Sequence, residues 1–97
     1  MTEDDPYELD LAPAARRVLE IGPPRGLALP IAVAVADFIR GPLLAAPRKV
    51  GKPLMFELEG YHTARRGEYR LVYRIDDDKH VVHVVRIEHR ADVYRPR

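Results

Sequence analysis

One stretch, residues 68–75, constrains the fold more than any other part of the chain. It reads Glu-Tyr-Arg-Leu-Val-Tyr-Arg-Ile, so that large apolar side chains alternate with arginine and valine. Because successive side chains of a strand point to opposite faces, this pattern predicts a strand with one apolar face and one face that bears arginines. The apolar face of such a strand must be covered by another layer of structure.

Two neighbouring segments extend this strand into a meander. Residues 80–89 are rich in β-branched side chains, which favour a strand, and the polar run Asp76–Lys79 predicts the turn of an antiparallel hairpin. Upstream, Arg66–Gly67 supplies a second turn, so residues 58–65 are predicted to form the first strand. The sequence therefore predicts a three-stranded antiparallel meander with a row of arginines on one face.

Alternation within the last strand assigns its side chains to two faces. It groups Arg90 with Arg86 and places both on the face of Val82 and Val84. The opposite face is then predicted to hold Val81, Val85 and Ile87.

The first half of the chain predicts one strand followed by two helices. Residues 7–11 alternate apolar and acidic side chains and form a short strand that closes the sheet beside a meander strand. Pro13 begins a helix that ends at Ile21, before Gly22 and two prolines. A second helix extends from about Gly26 to Arg40, with its regular part beginning near residue 29.

Gly41–Pro42 marks the predicted end of that second helix, and Arg48–Pro53 is predicted to be a basic loop. The element order is β-α-α-β-β-β. This order predicts an α+β fold in which two N-terminal helices pack on one face of a small antiparallel sheet.

Length and composition indicate one globular domain spanning residues 1–97, with residues 1–6 as a flexible tail. The chain has no cysteine, which excludes disulfides, thiolate metal ligands and a thiol nucleophile. No apolar run reaches membrane-spanning length, and the N-terminus is acidic where a secretory signal would be basic. We therefore predict a cytoplasmic protein without a membrane partner.

The net charge of +1 conceals an asymmetry along the chain. Residues 1–10 hold five of the 15 acids and no base, which leaves 10 acids against 16 bases, or +6, in residues 11–97. A compact body of that charge favours a polyanionic partner such as RNA. The other interpretation is an ordinary solvated surface, and charge alone leaves both open.

Several motifs resemble one known family. They are Gly51-Lys52-Pro53-Leu54, Leu58-Glu59-Gly60, the run from Ala64 to Tyr73, and the ending from His89 to Tyr94. Together these segments resemble the RelE/ParE superfamily of bacterial toxins from toxin–antitoxin pairs, and mycobacterial RelE-type toxins in particular. The likeness covers nearly the whole chain and implies the same β-α-α-β-β-β order.

The resemblance also implies a function. RelE-type members cut mRNA in the ribosomal A site, and ParE-type members poison DNA gyrase. For this chain it implies a ribosome-dependent mRNA endoribonuclease whose partners are the ribosome, mRNA and a cognate antitoxin. The alternatives are a ParE-like gyrase inhibitor without nuclease activity and a degenerate member that only forms a repressor complex with its antitoxin.

The resemblance assigns catalytic positions to Arg70, Arg90 and Tyr94, the last as a surface on which a base stacks. Two lysines expected in the preceding strand are absent, since Tyr61 and Thr63 occupy those positions. Arg65 is then the first base on that face, and the acceptor of the 2′ proton stays unassigned.

RNA can be cut without a metal when its 2′-hydroxyl attacks the adjacent phosphate and the 5′-oxygen leaves. Arginine suits the charge that develops on phosphorus, because its planar fork meets two phosphate oxygens and stays charged. We predict that Arg65, Arg70 and Arg90 converge on one phosphate. The alternative is that they coat the solvated side of a sheet, and Tyr94 can likewise be a packing residue.

Among the histidines, His89 is a candidate to transfer a proton, although alternation points it toward the helices. His62 and His83 are interpreted as histidines at the edge of the core. We predict no metal site and no cofactor. A further set of basic residues is predicted to contact the RNA backbone: Lys49, Lys52, Arg66, Arg74 and Arg86.

Overall fold

The computed structural model describes residues 5–22 and 26–89. Its strands and helices are β1 (Glu8–Leu11), α1 (Pro13–Ile21), α2 (Leu29–Phe38), β2 (Lys52–Pro53), β3 (Tyr61–Arg66), β4 (Tyr69–Asp76) and β5 (Val81–His89). A π-helical turn, Ile39–Leu43, follows α2 directly, and a 3₁₀ turn, Phe56–Leu58, precedes β3. The predicted α+β class is confirmed.

The strands form one mixed sheet in the order β1-β5-β4-β3-β2. β1 pairs with β5 in parallel, and the other pairs are antiparallel, so the predicted meander and the strand closing it are confirmed. β2 was not predicted, since it lies in the segment predicted to be a loop. A strand of two residues is too short to show a periodic pattern in the sequence. β3 begins at Tyr61 rather than at residue 58, because the 3₁₀ turn occupies the positions before it.

The hydrophobic core lies between one face of the sheet and the helices. Its sheet side comprises Ala64, Tyr69, Leu71, Tyr73, Val82, Val84 and Ile87, and its helical side includes Ala15, Val35, Phe38, Ile39 and Leu43. In β4 the buried and less buried positions alternate as the sequence predicts. Burial of these apolar side chains is the main source of stability in a chain of this size.

Tyr73 is the largest fully buried side chain. Its hydroxyl donates a hydrogen bond of 2.7 Å to the carbonyl of Pro47, and burial raises its pKa to about 12. Gly51 passes directly over this hydroxyl, where a Cβ would collide with the Tyr73 oxygen and the Thr63 carbonyl. The backbone between the helices and β2 is therefore fixed by a buried polar contact and a glycine.

The second helix does not end at Gly41–Pro42, so that prediction was wrong. The chain changes to π winding over Ile39–Leu43 and keeps Pro42 inside the turn. Proline removes one main-chain hydrogen bond, but burial of Ile39 and Leu43 holds the segment against the sheet. Among the helices that the structure describes, none has the length and apolarity needed to cross a membrane.

A β-bulge in β5 reverses the predicted alternation of that strand. Tyr73 pairs with Val84 while Val72 pairs with Arg86, which leaves Val85 as the extra residue between them. Val82 and Val84 consequently lie in the core, and Arg86 lies on the opposite face. Grouping these three together was wrong because strict alternation cannot include an inserted residue.

A cluster of hydrogen-bonded side chains joins three distant segments at the surface. We name it the Arg48 cluster, and it consists of Tyr7, Arg48 and Asp77. Arg48 donates from both terminal nitrogens to Asp77, at 3.1 Å and 2.7 Å, and the Tyr7 hydroxyl donates to the same carboxylate at 2.7 Å. These contacts attach the β4–β5 turn to Tyr7, which immediately precedes β1, and to the loop before β2.

Candidate nucleic-acid interface

The sheet face turned away from the helices is the candidate site, and we name it the open face. Its central strands present Tyr61, Thr63 and Arg65 from β3, Arg70, Val72 and Arg74 from β4, and His83, Arg86 and Glu88 from β5. Lys52 of β2 lies opposite Thr63 and so shares this face. The open face is therefore mostly polar, and most of its basic side chains lie on β2, β3 and β4.

Arg65 and Arg70 form a direct cross-strand pair at the β3–β4 turn. Their side chains lie on the same face, as the sequence predicts. The turn between them is two residues long and uses Gly67 at a φ of +56°, a conformation that suits glycine. Like charges directly opposite each other destabilise a sheet, so an anion nearby stabilises this pair.

Glu88 is the carboxylate that the structure places beside these arginines. Arg70 donates from Nε at 3.1 Å and from Nη2 at 2.6 Å, both to Oε1 of Glu88. Arg86 donates from Nη1 to Oε2 at 3.2 Å. The Glu88 side chain is 23% exposed and that of Arg70 is 37% exposed, so solvent screens this contact only in part.

We name Arg65, Arg70, Arg86 and Glu88 the Arg70 cluster. Arg70 and Arg86 both contact the Glu88 carboxylate and Arg65 lies directly opposite Arg70, so three cations and one carboxylate leave a local charge of +2. Guanidinium groups from three adjacent strands face one side of the sheet at this point. Such an arrangement can bind a phosphodiester through charge-assisted hydrogen bonds.

The other predicted backbone contacts divide between the two faces. Lys52 and Arg74 lie on the open face, and Lys49 is exposed in the loop before β2. Arg66 lies on the helix side, where its guanidinium carbon is 4.7 Å from the centre of the Phe38 ring. Because Arg66 alternates with Arg65, its predicted contact with the RNA backbone would lie on the opposite face of the sheet from Lys52 and Arg74.

The histidines are also divided between the faces. β5 continues through His89, which pairs with Tyr69 on the helix side and whose Nε2 lies 3.4 Å from Oε1 of Glu68. His62 stacks on Tyr73, and burial together with the charge of Arg48 lowers its pKa. His83 was interpreted as a core-edge residue, but it lies on the open face with Nδ1 2.7 Å from Asp10.

Arg90 and Tyr94 lie outside the described residues. Glu88 is a site residue that the sequence reasoning missed. With a regular hairpin register, Arg70 would face Ile87, and the bulge at Val85 is what brings Glu88 opposite Arg70. The one available sequence signal was an acid two residues from Arg86 on a strand rich in valine.

Comparison with protein families decides the class of this chain. A model described as the ParE toxin of the type II toxin–antitoxin system parDE matches residues 27–94. The match spans well over half of the chain. The chain belongs to this toxin family.

Similar proteins place the toxin near its RelE-type members. It is 44% identical over 95 residues to Toxin RelE of Mycobacterium tuberculosis, covering 98% of this chain and 93% of that protein. It is 50% identical over 90 residues to Toxin RelG of the same organism, covering 93% and 98%. A crystal structure of the M. tuberculosis toxin–antitoxin complex RelBE2 contains a chain that is 46% identical, with a TM-score of 0.77, covering 89% of this chain and all of that one.

The toxin thus combines the fold of RelE toxins with a basic open face. Within residues 5–22 and 26–89, His, Asp and Glu side chains are nowhere grouped in a set of three that could hold a metal ion. The strongest local concentration of unlike charges on the open face is the Arg70 cluster.

Proposed function

We propose that this toxin is an endoribonuclease that cuts mRNA on the ribosome. The observation that carries the proposal is the Arg70 cluster, in which arginines from three adjacent strands share one face and only Arg70 and Arg86 are paired with its carboxylate. An unbalanced cationic group on a sheet face costs stability unless an anion binds there. A phosphodiester fits that requirement by charge and by the geometry of its oxygens.

The proposed chemistry is attack of the RNA 2′-hydroxyl on the adjacent phosphorus, with departure of the 5′-oxygen. The new bond is O2′–P and the broken bond is P–O5′, so the 2′-hydroxyl loses a proton, the departing 5′-oxygen gains one, and the products are a 2′,3′-cyclic phosphate and a 5′-hydroxyl. Charge builds up on the phosphate oxygens as both bonds are partly formed. Arg65 and Arg70 donate to these oxygens, and cations fixed in advance by the fold need no rearrangement at that moment.

The remaining open-face cations would position the message. Lys52 of β2 and Arg74 of β4 lie on the same face as the Arg70 cluster, and Lys49 lies in the loop that leads to β2. Contacts from such residues to phosphates give affinity and register without sequence choice. Arg90 and Tyr94 retain the roles that the family resemblance implies, a phosphate contact and a stacking surface. Action on translating ribosomes would place the toxin in the cytoplasm.

We also propose that a cognate antitoxin neutralises the toxin. The similar RelBE2 protein was solved as a toxin–antitoxin complex. In this chain, large apolar side chains face solvent on α2 and in the 3₁₀ turn: Leu29, Val33, Met55, Phe56 and Leu58. Phe56 is 88% exposed, and exposed apolar groups of this size are typical of protein interaction sites.

The test is a purified translation system with a defined message. Primer extension would map cuts with and without added toxin, and we expect cuts in phase with codons only when the message is being translated. Supercoiling by DNA gyrase, assayed with the same preparation, should be unaffected. Gyrase inhibition without mRNA cuts would support the ParE-like alternative, and neither activity would support a member that only binds its antitoxin.

A further inference from the structure

The contacts of Glu88 suggest a role beyond balancing charge. Its two oxygens are divided between two guanidinium groups, Oε1 to Arg70 and Oε2 to Arg86. The Nε and Nη2 groups of Arg70 form one of the two edges through which its guanidinium group can meet a phosphate. Both donate to Glu88, so a phosphate cannot bind through this edge while Glu88 remains in place.

We propose that Glu88 occupies the phosphate position of the Arg70 cluster and competes with RNA for it, so that it determines which RNA the toxin accepts. This inference rests on the proposed nuclease function. A carboxylate and a phosphodiester are both monoanions with two terminal oxygens. Exchange of one for the other leaves the charge of the cluster unchanged and requires Glu88 only to turn into solvent.

Competition of this kind favours RNA that is held on the ribosome over free RNA. A free oligonucleotide must displace Glu88 using only the contacts that it makes with the toxin itself. A message held on the ribosome is presented at a high effective concentration and makes further contacts, so it displaces Glu88 readily. Glu88 would thus protect free RNA from cleavage while leaving ribosome-bound message accessible.

The position of Glu88 is compatible with such movement. Its side chain is 23% exposed, and Arg86, its second partner, is 67% exposed. A partly solvated carboxylate can leave without stranding a buried charge, since water replaces its lost hydrogen bonds.

The experiment measures binding separately from cleavage. The probe is a short 2′-O-methyl RNA oligonucleotide, which has no 2′-hydroxyl to attack and therefore reports affinity alone. Fluorescence anisotropy at fixed salt compares the wild-type toxin with Glu88→Gln and with a control, Glu57→Gln. Glu57 is exposed in the 3₁₀ turn, so the control removes the same charge outside the open face.

We expect Glu88→Gln to bind the oligonucleotide at least about fivefold more tightly, the effect of removing one charge about 4 Å away in a water-like medium. Glu57→Gln should stay within about twofold of the wild type, because distant exposed charges are screened. Glu88→Gln should also cut free RNA faster, which lowers its preference for translated message.

Unchanged affinity in Glu88→Gln would overturn the inference, and weaker binding would show instead that Glu88 aligns Arg70. Codon-phased cutting by the wild type tests the proposed function independently, so either can fail alone. If Glu88→Gln does not fold, NMR of the wild type provides the answer. Saturating oligonucleotide should then shift the Arg70 Nε–H and Glu88 carboxyl resonances together, and an unmoved Glu88 signal would contradict displacement.

Discussion

The Arg48 cluster and the Arg70 cluster use the same chemical groups in different proportions. In the first, one arginine and one aspartate form a two-pronged pair, with a tyrosine hydroxyl as third member. In the second, one glutamate contacts two arginines, and a third arginine lies opposite one of them. The first is electrically balanced and joins segments 29 and 70 residues apart, whereas the second has excess positive charge on an open sheet face.

This difference separates a structural contact from a binding site. A balanced pair that connects distant segments has its donors and acceptors matched within the chain, and nothing further is needed. An unbalanced group on adjacent strands lowers sheet stability and gains from an added anion. The ratio of guanidinium to carboxylate groups, rather than the presence of ion pairs, is what makes the Arg70 cluster the candidate site.

The largest expected effect comes from removing the central arginine of the unbalanced cluster. Arg70→Gln should lower the rate of mRNA cleavage on ribosomes by at least about 100-fold, the usual effect of losing one fixed donor to a developing charge. Quantitative primer extension with purified toxin would measure it. The melting temperature should change little, because Arg70 is partly exposed and outside the core.

Arg48→Gln is the matched control for that substitution. It removes the same side chain from the balanced cluster, and cleavage should remain close to the wild-type rate. Equal losses of activity in the two variants would remove the distinction drawn between the clusters.

A smaller effect is expected from removing the buried hydrogen bond between Tyr73 and the carbonyl of Pro47. Tyr73→Phe leaves the carbonyl of Pro47 without its 2.7 Å hydrogen bond and should lower the free energy of unfolding by about 1–3 kcal/mol. Urea denaturation would measure the change. Cleavage by the folded fraction should be retained, since Tyr73 faces the helices.

Tyr73→Phe should also change the way that stability depends on pH under alkaline conditions. Burial raises the pKa of Tyr73 from 10.0 to about 12, so the folded state holds this proton more tightly than the unfolded chain. Its contribution is fully present below pH 10 and is lost as the pH rises toward about 12. The wild type should lose stability more steeply than Tyr73→Phe in that interval, and parallel curves would contradict the assignment.

The smallest effect is expected from the balanced cluster itself, whose two charged side chains are more than half exposed. Hydrogen bonds from Arg48, then from Tyr7, lower the pKa of Asp77 below its ordinary 3.8. Its contribution to stability is therefore present above that value and is lost as the pH falls through the lowered pKa. Arg48→Gln removes the larger of these two causes, so it should weaken this part of the acid dependence and reduce stability slightly, by an amount that shrinks in high salt.

Thermal unfolding at several pH values would measure that change. Arg16→Gln, which removes an exposed charge from α1, is the control and should keep the acid dependence of the wild type.

Much of this fold is readable from local patterns, because strands and helices impose their own periods on the sequence. The alternation of residues 69–75 and the limits of α1 follow directly from that periodicity. Arg65 and Arg66 were also separable by alternation alone, which places them on opposite faces. The open face could therefore be predicted in outline, including the placement of Arg65 and Arg70 on the same face.

The missed features depend on register or on distant contacts. The bulge at Val85 changes which residue faces Arg70, and no local pattern marks it among several valines. The contact between Tyr7 and Asp77 joins residues 70 positions apart. The π turn continues through Pro42 because burial of its neighbours outweighs a local signal for ending.

One matched pair tests the central claim most directly. Arg65 and Arg66 are adjacent in sequence and carry the same charge, but Arg65 lies on the open face and Arg66 lies over Phe38 on the helix side. Cleavage of translated mRNA by Arg65→Gln and Arg66→Gln, measured side by side, should fall at least about tenfold in the first and stay near the wild-type rate in the second. Equal rates in the two variants, or a greater loss in Arg66→Gln, would contradict the claim that the open-face arginines bind the phosphate.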